Sequence, residues 1–143
     1  MYRHILAAVE THDDGQPVLA RARDLARQFG AKLSILHVVE YLPVDPAGDA
    51  LLTTPVDLSR ERATQAEARL REWCDALQIP MTDARVVIGT ITAEILRAAK
   101  ESGADLIAVG HHPRRGLAAL FSHTEGGVVQ RAPCDVLAIR LNP

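Results

Sequence analysis

Cysteine is scarce: Cys74 and Cys134 are the chain's two. They form no CxxC pair and no framework of bridges, which argues against a secreted disulfide scaffold. No apolar run approaches the roughly 20 residues that a membrane helix needs. The opening Met1-Tyr2-Arg3-His4-Ile5-Leu6 carries no signal-peptide apolar region or cleavage site, so a cytoplasmic protein is expected. Charge of one sign is also missing. Lys+Arg 16 against Asp+Glu 18 gives a net charge of −2, which offers nucleic acid or an anionic membrane little purchase. There is no internal repeat and no low-complexity segment. Catalytic signatures are absent too. No Walker A sequence occurs, and Ser34, Ser59, Ser102 and Ser122 lie in no GxSxG elbow. A response-regulator receiver would need an aspartate ending its third strand, where Ile88-Gly89 stands. A flavodoxin would need a Ser/Thr-Gly-rich loop after its first strand, where Glu10-Thr11-His12-Asp13-Asp14 is acidic. The expectation is a protein without enzymatic turnover.

What is present is enough apolar sequence for one core. The 143 residues are 48% apolar and 24% charged, which describes a single globular domain over residues 1–143. His4 to Val9 is a short apolar run that reads as a central strand buried on both faces. A polar turn follows, with Asp13 or Asp14 available as helix N-cap. Val18, Leu19, Ala22, Leu25, Ala26 and Phe29 recur at helical spacing, and Gly30 supplies the stop. Lys32 to Val39 is a second strand. Tyr41 to Val56, with three prolines and a glycine, reads as a long loop of the kind that covers a site or an interface. Asp57 to Gln78 is the longest helix, striped by Ala63, Ala66, Leu70, Trp73 and Leu77 and closed by Pro80. Asp83 to Ile88 alternates as an edge strand would. Thr90 or Thr92 caps a helix that ends at Gly103. Asp105 to Gly110, a helix over Ser122 to Arg131, and Asp135 to Leu141 complete the series. Strand alternating with helix implies a doubly wound α/β fold with a parallel sheet. In such sheets ligands sit outside the carboxyl ends of the strands, at the topological switch point.

The stretch from Val109 to Glu125 falls at that edge. It joins a buried strand to a helix whose start, Ser122-His123-Thr124-Glu125, matches a capping box. Orphan N–H groups and the helix dipole make such a loop a potential anion site. The run Tyr2-Arg3-His4-Ile5-Leu6-Ala7-Ala8-Val9, then Gly30-Ala-Lys-Leu-Ser-Ile-Leu-His-Val38, then Ala104-Asp-Leu-Ile-Ala-Val-Gly110, and Ala132-Pro-Cys-Asp-Val-Leu-Ala-Ile139 together resemble the universal stress proteins of the UspA type, over essentially the whole chain. The resemblance implies a five-stranded parallel sheet in the order 3-2-1-4-5, a homodimer and a role in surviving stress.

That family divides by its nucleotide loop, Gly-x2-Gly-x9-Gly-Ser/Thr in the members that bind ATP. Set on this chain, the first Gly falls on Gly110 and the Ser/Thr on Thr124, but the other two glycine positions hold Pro113 and His123. Proline has no N–H to offer a phosphate. The His123 imidazole takes up phosphate space and Glu125 repels phosphate oxygens. Glu10 stands where ATP-binding relatives usually have Asp. Gly110-His111-His112 therefore resembles the branch that lacks the ATP motif, and no cofactor is expected. The alternative is ATP or AMP held by Val9, Glu10, Thr11, Val38, Gly110 and Thr124, with Arg114 and Arg115 on phosphate and Gly116 serving a shifted loop. The bland reading of the arginine pair is a solvated surface.

Three further features invite a reading. His12, His111 and His112 in loops, His123 at a helix start and His37 near the same edge could join Glu10 around a metal. Their spacing matches no ligand pattern and no Cys joins them, so no metal is expected. His4 reads as a packed or edge residue. Gly126-Gly127 within a helix suggests close packing of that helix on a strand. Finally, Asp135 to Leu141 is an edge strand in the inferred order, with no proline or lysine to blunt it, and is the expected homodimer contact.

Overall fold

The computed structural model describes residues 1–11, 15–40, 55–111 and 123–141. Its elements are β1 (His4–Ala8), α1 (Gly15–Phe29), β2 (Lys32–Glu40), α2 (Pro55–Leu77), β3 (Ala84–Gly89), α3 (Ile91–Ser102), β4 (Leu106–His111), α4 (His123–Arg131) and β5 (Asp135–Arg140). The five strands form one parallel sheet in the order β3-β2-β1-β4-β5, as expected. Chain order and sheet order together place β1 at the centre, with the chain winding outward first through β2 and β3, then through β4 and β5.

Alternation along the central strands builds two cores. Ile5, Ala7 and Val9 point to one face, where they meet Val18, Leu19 and Ala22 of α1 and Leu70, Trp73 and Cys74 of α2. Leu6 points to the other, with Ile107 and Val109 of β4, Ile95, Ala98 and Ala99 of α3 and Val128 of α4. Strands buried on both faces must be apolar throughout, which is why β1 and β4 read as continuous runs rather than alternating ones. Each fully buried Leu or Ile contributes about 1.5–3 kcal/mol.

Three helices end in the same way. Gly30, Gln78 and Gly103 have φ of 64°, 57° and 70°. In each case the next N–H reaches back to the last turn: Ala31 to the Ala26 carbonyl (2.7 Å), Ile79 to Cys74 (2.8 Å) and Ala104 to Ala99 (3.1 Å). This is the Schellman arrangement. Gly30 and Gly103 act as the sequence indicates. The α2 stop is the left-handed Gln78, not Pro80.

Other boundaries differ by small amounts with clear causes. Pro55 and Val56 belong to α2 rather than to the loop, because a proline at the first helical position loses no hydrogen bond; the loop's residues 41–54, and the proposed caps Asp13, Asp14 and Ser122, lie outside the described residues. Thr90 occupies the N-cap position of α3 with extended backbone, but its side chain makes no capping bond. His111 belongs to β4, not to a loop, since its carbonyl accepts the Leu141 N–H at 2.8 Å. Gly127 does mark a close approach, but between helices: a Cβ there would meet Thr92 of α3 at 3.0 Å.

The amino edge is tied by one carboxylate. The Arg3 and His4 backbone N–H groups donate to Asp105 at 2.9 and 3.0 Å, and the Asp105 N–H returns a bond to the His4 carbonyl at 2.9 Å. The His4 N–H, then that of Arg3, holds the Asp105 carboxyl below the usual carboxylate range. A depressed folded-state pKa contributes stability that is present above the unfolded value, near 3.9, and is lost as pH falls through the folded one. Asp105→Asn should therefore flatten the acid limb of a melting-temperature profile taken from about pH 5 down to pH 2. Parallel acid limbs for the variant and the parent would contradict this role.

Candidate functional site

The switch point lies between the carboxyl ends of β1 and β4, because the chain leaves β1 toward β2 and re-enters beside it at β4. Val9 sits just past β1, buried, with its N–H on the Leu36 carbonyl at 2.9 Å. Its own carbonyl accepts from His37 Nδ1 at 2.8 Å, which holds the imidazole at this edge. Val38 is buried in the α3-facing core. Glu10 is exposed and Thr11 half-buried. Across the crevice stand Gly110 and His111, the last residues of β4. The structure thus brings Val9, Glu10, Thr11, Val38 and Gly110 to one edge. Thr124 falls in the first turn of α4, and its side chain lies outside the described residues, as do Arg114, Arg115 and Gly116 in full. Among the described residues no group of three His, Cys, Asp or Glu side chains is placed to hold a metal ion; His12 and His112 are not among them.

Two glycines shape this edge, and for one of them the reason was hidden. A Cβ on Gly15 would stand 1.7 Å from the Glu10 carbonyl oxygen and 2.8 Å from the Trp73 ring. The start of α1 thus lies directly against the Glu10 backbone just past β1. In the sequence Gly15 is only one more polar-turn residue; a glycine at the first position of an otherwise ordinary helix is the signal that could have found it. A Cβ on Gly110 would meet Leu141 Cδ1 at 2.9 Å and Val18 Cγ2 at 3.1 Å. Among the described glycines only Gly30 and Gly103 have φ in the left-handed region, so Gly110 is required by space and not by backbone conformation.

The profile of the universal stress protein family matches residues 1–140. The chain belongs to that family. It is 32% identical over 140 residues to universal stress protein A homolog 1 of Coxiella burnetii, covering 96% of each chain. Among solved structures it resembles the universal stress protein UspA from Lactobacillus plantarum, with 26% identity, a TM-score of 0.77, and coverage of 97% of this chain and 98% of that one. A universal stress protein solved in complex with cAMP shares the fold at 20% identity and a TM-score of 0.72, covering 99% of both chains. Among the described residues, no helix is long and apolar enough to cross a membrane.

The contacts at Gly110 make a direct prediction. Gly110→Ala should cost about 1–3 kcal/mol by overpacking against Leu141 and Val18. Combined with Leu141→Ala, the double variant should lose less than the sum of the two single losses, because the shortened side chain vacates the space the new methyl needs. Urea denaturation of the four proteins checks this; strictly additive losses would mean that the two residues do not share that space.

Proposed function

We propose that this universal stress protein acts in the cytoplasm as a dimeric binding module in the stress response, without enzymatic turnover and without tight ATP binding. The observation that carries the reading is the packing around Gly110. That residue matches the first glycine of the family's nucleotide motif, and the closeness of the Leu141 and Val18 side chains is by itself a reason for glycine there. What remains of the motif is then one hydroxyl, Thr124. Pro113 and His123 hold the other glycine positions, and Glu125 adds like charge in the first turn of α4, where the helix dipole would otherwise favour an anion.

A second reading is a nucleotide-dependent switch, with ATP or AMP at the same edge. The relative solved with cAMP favours it, as do the Arg114-Arg115 pair and Gly116. Titration calorimetry with Mg-ATP separates the two. The expected result is no saturable binding in the low micromolar range; a dissociation constant there, about −8 kcal/mol, overturns the first reading in favour of the second.

The dimer is proposed through β5. This strand is an edge of the sheet, and Leu137 on it and Val129 on the neighbouring α4 are exposed apolar side chains. A second copy presenting the same strand antiparallel would pair both edges at once, as a twofold interface requires. The geometry selects the variant that tests it. The Leu141 N–H points to β4, so by strand alternation the N–H of Ile139 does too, while that of Ala138 faces the free edge. Ala138→Pro should therefore yield folded monomer by analytical sedimentation, removing an edge donor while leaving the β4–β5 ladder intact. A folded, fully dimeric Ala138→Pro protein would place the interface elsewhere.

A further inference from the structure

At the opposite end of the sheet His4 and Ser34 form a pair that no local motif announces. His4 is 9% exposed. Its Nδ1 lies 3.1 Å from the Ser102 carbonyl oxygen and its Nε2 lies 2.7 Å from Ser34 Oγ. A carbonyl only accepts, so Nδ1 carries a proton, and in the neutral imidazole Nε2 is left as an acceptor. The Ser34 hydroxyl therefore donates to Nε2. This is the relation of a nucleophile to its general base, with the base oriented by a third group. Here that group is a neutral carbonyl rather than a carboxylate.

The hydroxyl is not sealed in. Ser34 is half-buried and lines a cavity of about 290 Å³ bounded by β2, the start of β3 and the last turn of α3. Leu6 and Leu36 give it apolar wall, and Lys32 and Arg85 are balanced by Asp83 and Glu101. This half-open groove has room for a short acyl group, and the balanced charge of its walls favours an uncharged one. The cavity is on the α3 face at the amino edge, remote from the crevice at Val9 and Gly110, so the two sites stand or fall separately.

We propose that Ser34 is an acylation site: a serine nucleophile with His4 as general base, accepting a short acyl group from an activated ester or thioester. Ser34 Oγ attacks the acyl carbon and its proton passes to His4 Nε2. The bond from carbon to the leaving oxygen or sulfur breaks, and the proton goes from Nε2 to the leaving group. The products are O-acyl Ser34 and a free alcohol or thiol, with His4 returned to its starting state. The step modifies the protein once and requires no turnover.

The test uses p-nitrophenyl acetate on the full chain, with peptide mapping by mass spectrometry. An acetyl group on Ser34 that hydroxylamine removes is the expected product; the neighbouring Lys32 would give a hydroxylamine-stable amide instead. Ser34→Ala should abolish the labile adduct, and His4→Gln should slow its formation on the order of 100-fold, the lower end of general-base catalysis. Unfolding the unaltered protein in urea should also abolish selective labelling of Ser34, a control that does not depend on any variant folding. Acetylation at Lys32 alone, no adduct on Ser34 in the folded protein, or equal labelling of Ser34 before and after unfolding would each overturn the proposal.

Discussion

Every other element answers to the burial of β1 on both faces. Ile5 and Ala7 are fully buried under α1 and α2, and Leu6 is 2% exposed beneath α3. A parallel strand in that position cannot be reached by a hairpin, so the chain must cross over a helix each time it returns to the sheet. The small residues follow from the same constraint. Ala7 lies beside Ala108 in the register of β1 and β4, and both are fully buried. Two alanines side by side let α1 approach through Ala22, which is equally buried. Larger side chains there would lift the helix from the sheet and open the edge that Gly15 and Gly110 close.

Most of this architecture is legible in the sequence, and the reason is periodicity. Runs such as Ile5-Leu6-Ala7 and Leu106-Ile107-Ala108-Val109 declare two-sided burial, and helix stripes separated by Gly30 and Gly103 declare the crossovers. What periodicity cannot reveal is the end of a helix on a residue that rarely adopts positive φ. Gln78 takes the left-handed position that closes α2, with Ile79 bonding back to Cys74, and no glycine or asparagine marks that local cap in the composition. The placement of Gly127 was half legible: two glycines in a helix announce a close neighbour, but only the fold says that the neighbour is Thr92 of α3 and not a strand.

The candidate sites were less legible, for a different physical reason. A motif is readable when its residues are local, as the family's glycine loop is. His4 and Ser34 are 30 residues apart and meet because their strands are neighbours in register, Leu6 lying opposite Ser34. Scanning for a serine elbow passes over Ser34 because nothing in its flanking sequence differs from an ordinary strand. Gly110 shows the converse error. It is local and matches a motif, yet its environment supplies a sufficient cause in Leu141 and Val18 that has nothing to do with phosphate.

The two ends of the sheet are therefore constrained in opposite ways. At the carboxyl edge backbone closeness dominates: the Glu10 carbonyl over Gly15, Leu141 over Gly110, and the Val9 carbonyl taken by His37. Among the described residues, the space at Gly15 and Gly110 and the Val9 carbonyl are taken by the fold itself. At the amino edge the polar groups are satisfied by one another, Asp105 by the Arg3 and His4 N–H groups and the His4 ring by Ser102 and Ser34. The backbone of His4 is thus pinned to Asp105 while its ring is pinned to α3 through Ser102, so the imidazole has no freedom to turn away from the serine. A base fixed at both ends loses little entropy in accepting a proton from a hydroxyl already aimed at it, which is the condition under which a partly buried serine differs from a solvated one.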